Sequence, residues 1–72
     1  MLAVNFTIKV EEEDEKKFMK RLVQFNIRVD RRVKWNEFDK SVQFDCHGSS
    51  YNLVNEFFKH LEDSDINSLL IA

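Results

Sequence analysis

A small α+β domain with a single open sheet is what this sequence predicts, and three observations carry the prediction. Lys40–Gly48 alternates apolar and polar residues, with Val42, Phe44 and Cys46 on one side and Ser41, Gln43, Asp45 and His47 on the other. That is the period of a half-buried strand. It ends at the only glycine of the chain, and Ser49 and Ser50 follow as candidate caps for a helix. A second alternating stretch, Leu2–Val10, precedes a helical one, so strands and helices are interleaved.

Taken in order, Leu2, Val4, Phe6, Ile8 and Val10 share one face of the first strand. Five acids follow, Glu11–Glu15, and then Lys16, Lys17, Lys20 and Arg21. Acids in a first turn and bases in later turns match a helix dipole. Phe18, Met19, Leu22, Val23 and Phe25 supply an apolar stripe, which predicts a helix over 12–25. Ile27–Trp35 is a second strand, with Ile27, Val29, Val33 and Trp35 on one parity. Arg31 falls on that same parity, either as an inward charge that blunts an edge or because a bulge resets the register.

The segment 35–40 is a hairpin loop, with Asn36 and Asp39 as turn formers. Ser50–Glu62 is the second helix, with Tyr51, Val54, Phe57, Phe58 and Leu61 on one face and acids at its C-terminus. Ile66–Ala72 is a last short strand. The order β-α-β-β-α-β is the ferredoxin-like arrangement. Right-handed crossovers then set a four-stranded antiparallel sheet of order 4-1-3-2 with both helices on one face. The expected core is Val4, Phe6, Ile8, Phe18, Leu22, Phe25, Val29, Val33, Val42, Phe44, Val54, Phe57, Phe58, Leu61 and one face of the last strand.

Seventy-two residues with a third charged make one globular domain, near the lower size limit for an unassisted core. One cysteine forms no internal disulfide, which points to a reducing, cytoplasmic setting. No apolar run is long enough to span a bilayer, and Leu2–Val10 is too polar for a signal peptide. No membrane partner is therefore expected.

The net charge of −2 conceals a segregation. Lys16, Lys17, Lys20, Arg21, Arg28, Arg31, Arg32 and Lys34 fall in one window with a single acid, Asp30. The topology carries Glu11, Glu12, Glu13, Asp14, Glu37, Asp39, Glu62, Asp63 and Asp65 to one end, an acidic pole. It leaves Lys20, Arg21, Arg28, Arg32 and Lys34 as a basic flank.

Catalytic chemistry finds little footing. Cys46 and His47 are adjacent on a strand and point to opposite faces, so they make no nucleophile–base pair. One cysteine and two histidines fall short of a zinc set. Consecutive acids on a helix splay around it and chelate poorly, so no metal and no cofactor are expected. Glu56 and His60 are read as solvated.

The expected function is accordingly that of a small non-enzymatic protein-binding or regulatory module. The scarcity of glycine, alanine and proline against Lys, Asn, Ile and Phe suggests AT-rich coding. The concrete expectation is a phage- or mobile-element-encoded inhibitor that contacts a host protein through steered charge. The alternative is an RNA- or DNA-binding domain using the basic flank, although no aromatic stacking platform lies on the open face. A third expectation is self-association as a homodimer.

Overall fold

The computed structural model describes residues 4–34 and 40–71. The elements are β1 (Val4–Glu11), a 3₁₀ turn (Glu12–Asp14), α1 (Glu15–Gln24), β2 (Ile27–Lys34), β3 (Ser41–Gly48), α2 (Tyr51–Glu62) and β4 (Ser68–Leu70). The strands form one antiparallel sheet in the order β2-β3-β1-β4, which is the expected order read from its other edge. Expectations for Trp35–Asp39, including Glu37 and Asp39 of the acidic pole, lie outside the described residues.

Both helices cover the same face. Phe6, Ile8 and Val10 of β1 and Val42, Phe44 and Cys46 of β3 are buried with Phe18 and Leu22 of α1 and Val54, Phe57 and Leu61 of α2. Phenylalanine rings make the seam between the layers. Phe18 lies 5.0 Å from Phe44, and Phe57 lies 5.9 Å from Phe6 and 5.8 Å from Phe18, between centroids. Tilted and edge-on pairs at such spacings add to the burial of apolar area.

Local signals set the boundaries. The Ser50 hydroxyl accepts the Leu53 N–H at 3.2 Å, so the second of the two serines is the cap of α2. At the end of α1, Asn26 takes φ 56°, a left-handed turn that asparagine tolerates and that stops the helix. The acidic run opens as a 3₁₀ turn rather than as the first turn of a continuous helix.

The bulge reading of β2 holds and the inward-charge reading does not. Val29 pairs with Cys46 and Arg31 with Asp45, so Asp30 is the extra residue. Beyond it every side chain changes face relative to simple alternation. Arg32 and Lys34 lie opposite Phe44 and Val42, toward the helices, while Arg31 and Val33 lie opposite Asp45 and Gln43, on the open face. Val33, expected in the core, is therefore only half-buried.

Val10 and Ile27 join the core, and Cys46, on the apolar side of its strand, is buried with them, as is Ile66. The expected inner face of the last strand is also corrected. Its Leu70 lies beside Ile8 on the helix side yet stays half exposed, because β4 is the sheet edge.

Candidate functional site

The register places the end of β1, the end of β2 and the starts of β3 and β4 at one end of the sheet. Glu11, Glu12 and Glu13 are exposed there, and with Lys40 they line a shallow hollow. The 3₁₀ turn draws the carboxylates of Glu11, Glu13 and Asp14 within 4.8 Å of one another, which corrects the expectation that they splay. Two of the three are held by the connection between α2 and β4. Asp14 Oδ2 accepts the Asn67 backbone N–H at 3.0 Å, and the Asn67 side-chain amide donates to Glu11 Oε2 at 3.4 Å. Asp14 is 7% exposed, so it fastens the fold and offers no charge to a partner surface.

That connection runs from the end of α2 to Asn67. Glu62, Asp63 and Asp65 are exposed on it. Asp63 and Asp65 line a hollow shared with Lys17, Arg21 and His60. His60, expected to be solvated, is half-buried: its ring lies 5.5 Å from that of Phe25, and its Nε2 is covered without a hydrogen-bond partner among the described residues.

The basic flank is partly matched by acids on its own chain. Because the bulge turns Arg32 and Lys34 toward the helices, Arg32 meets Glu15 in a two-pronged contact, Nη2 to Oε1 at 2.9 Å and Nε to Oε2. Lys34 Nζ reaches Glu12 Oε1 at 2.6 Å, and Arg28 Nε reaches Asp30 Oδ1 at 2.9 Å. Such exposed pairs add little stability each, but they remove local excess charge. Lys20 is exposed on α1, and Arg21 donates to the Gln24 side chain at 3.2 Å.

The Arg32 contact has a pH consequence. Hydrogen bonding to Arg32 holds the Glu15 carboxyl below its ordinary value; the charges of Arg32 and Lys34 assist, and burial opposes. A carboxyl depressed in the folded state stabilises fully above the ordinary glutamate value, and that contribution is lost as pH falls through the lowered one. In an NMR titration, Glu15 is expected to ionise below the ordinary glutamate value. Arg32→Gln is expected to return it toward that value and to flatten the acid limb of the stability profile.

The open sheet face holds polar cross-strand pairs. Thr7 Oγ1 donates to Asp45 Oδ1 at 3.0 Å, and His47 Nδ1 lies 2.8 Å from Asn5 Oδ1. Arg28, Arg31 and Val33 of β2 stand beside them, while Arg32 and Lys34 of the basic flank turn to the other face. The aromatic rings of the two central strands, Phe6 and Phe44, belong to the opposite, buried face. Cys46 is buried as well. Desolvation, helped by the charges of Asp45 and Asp30, pushes its thiol up to about 12, far from a reactive thiolate.

Two features of the surface were not read from sequence. One is the apolar edge at β4, where Leu69, Leu70 and Ile71 are exposed. The other is the groove beside it, lined by Phe58, Leu61 and Ile66 with Leu70. The signal available was the absence of charge from Ile66 onward. No described helix is long and apolar enough to cross a membrane. The chain matches no protein-family model and no curated protein sequence.

Proposed function

We propose that this chain is a non-catalytic protein-binding module of ferredoxin-like architecture whose acidic end engages a basic surface on another protein. What supports the reading is the approach of exposed acids from separate parts of the sequence. Glu11 and Glu13, with Glu12 paired to Lys34, come from the strand–helix junction, and Asp63 and Asp65 from the connection that docks on Asp14, where they share a hollow with Lys17 and Arg21. Like charges held together by a folded scaffold steer a complementary surface and reject a like one.

In its concrete form the module is a regulator. The acidic end occupies a basic groove, such as one that holds nucleic acid, and inhibits by exclusion. The AT-rich character of the composition supports an origin in a phage or another mobile element. A nucleic-acid-binding role draws less support, since Arg28, Arg32 and Lys34 already have acidic partners and the open face presents Asp45.

The test compares the wild type with a triple variant, Glu13→Lys, Asp63→Lys and Asp65→Lys, as baits for affinity capture with quantitative mass spectrometry. All three positions are exposed, so the fold is expected to persist. The expected result is a basic protein enriched at least about tenfold by the wild type and released as salt rises. Equal capture by both baits refutes the reading. So does tight retention of the wild type on heparin that is lost on Arg28→Ala and Arg32→Ala.

A further inference from the structure

We infer that the β4 edge is closed by a second copy of this chain, giving a two-fold dimer with a continuous eight-stranded sheet. The two edges of the sheet differ. β2 carries Arg28, Asp30, Arg31, Arg32 and Lys34 and is interrupted by the bulge at Asp30, the features that block pairing with another strand. β4 carries no charge, and no charged residue follows Asp65 in the sequence. Its Leu69 and Leu70 are 65% and 51% exposed, and Ile71 just beyond it is 49% exposed. An edge of this kind is a template for a strand.

The backbone fixes which groups are offered. Asn67 C=O accepts from Glu11 N–H at 3.2 Å, and Ile71 N–H donates to Thr7 C=O at 2.8 Å. Hydrogen-bonding direction alternates along an antiparallel strand. Asn67, Leu69 and Ile71 therefore face β1, while Ser68 and Leu70 turn their N–H and C=O groups off the sheet.

An antiparallel partner strand centred on Leu70 satisfies these groups symmetrically. Leu70 of each copy donates to and accepts from Leu70 of the other. On the helix side the two Leu70 side chains lie together at the mouth of the groove between α2 and β4, which Phe58, Leu61 and Ile66 line together with Glu62 and Ser64. On the open face Leu69 of each copy meets Ile71 of the other.

Identity of the partner follows from charge. Two copies related by a two-fold axis bring like residues together, so a charged edge would repel itself. The side chains of β4 itself carry no charge, and the adjoining groove holds a single charged residue, Glu62. With β2 blocked, each copy has one pairing edge, and the contact closes as a dimer instead of growing into a fibre. The strand is short, so the interface falls below the roughly 1,200 Å² of standard stable complexes, and a Kd of about 10–100 μM is expected. This inference is independent of the acidic-end reading, because it uses a different surface and has little salt dependence.

Sedimentation equilibrium from about 5 μM to 1 mM tests it. The mass is expected to rise from 8.7 kDa toward twice that value, with little change between low and high salt. Leu70→Lys places two ammonium groups at the axis and is expected to hold the chain monomeric throughout. Val23→Lys, at a 77% exposed position on α1, is expected to dimerise like the wild type. In the wild type, hydrogen exchange at the Leu70 amide is expected to slow about five- to ninefold across the same range, in step with the falling share of free monomer, which requires no variant. A wild type that remains monomeric at 1 mM, a Leu70→Lys variant that dimerises equally, or exchange at Leu70 that ignores concentration overturns the assignment.

Discussion

Phe57→Ala is expected to leave the chain unfolded at 25 °C in buffer that keeps the wild type folded. Phe57 is fully buried, and its ring lies 5.7–5.9 Å from those of Phe6, Phe18, Phe25 and Phe58. Among the described residues it is the one side chain in ring contact with β1, with α1, with the turn after α1 and with its own helix. Truncating a buried phenylalanine costs about 3–5 kcal/mol, from lost transfer energy and from the cavity left behind. At roughly 0.05–0.15 kcal/mol per residue, a domain of this length has only about 4–11 kcal/mol to lose. At the low end of that range, where a domain near the size limit for an unassisted core is expected, the loss takes most or all of it. Phe57→Leu keeps most of the volume and is expected to cost less than about 1.5 kcal/mol. Circular dichroism and urea titration of the two variants check the contrast. A cooperative Phe57→Ala transition within a few degrees of the wild type would place the core elsewhere.

What the sequence made legible is what a regular period encodes. Val42, Phe44 and Cys46 alternate without interruption, and all three are buried. The stripe of α2 likewise gave Val54, Phe57 and Leu61. The path of β2 was legible only as two alternatives, an inward charge or a bulge, because Asp30, Arg31 and Arg32 form a charged run with no apolar residue to fix its parity. Its register is decided by pairing with β3, and only there does Asp30 become the extra residue.

That single insertion alters the candidate site. It turns Arg32 and Lys34 toward Glu15 and Glu12, so a stretch read as a free basic flank becomes partly neutralised. The role of Asp14 was hidden for a similar reason. Its partner is a backbone amide 53 residues away, and backbone amides leave no trace in side-chain patterns. The exposure of β4 escaped because apolar alternation says which residues could be covered, while the position of α2 decides which are.

Gly48→Ala is expected to destabilise the domain by about 1–3 kcal/mol, and the same change is expected to be neutral or stabilising once Val54 is alanine. Gly48 has no positive φ, so its backbone accepts any L residue without strain. The restriction is contact: a Cβ at this position would lie 2.1 Å from Val54 Cγ2, where β3 passes beneath the first turn of α2. One of the two must move, and Val54 is packed in the core. Overpacking of this kind costs about 1–3 kcal/mol.

Val54→Ala alone removes two buried methyl groups and is expected to cost about 2 kcal/mol. It also deletes the clashing atom, and the next contact, with the residue 54 Cβ, is an ordinary 3.7 Å. In that background the alanine at 48 fills part of the space and restricts the unfolded chain, an effect worth about 0.4–1 kcal/mol in its favour. The double-mutant cycle is therefore expected to show a coupling of about 2–3 kcal/mol with a reversal of sign for the Gly48 change. Additive losses in urea unfolding would mean that the strand and helix are free to separate at this point. In that case the glycine reflects the turn chemistry before Ser50, and not the close approach of the two elements.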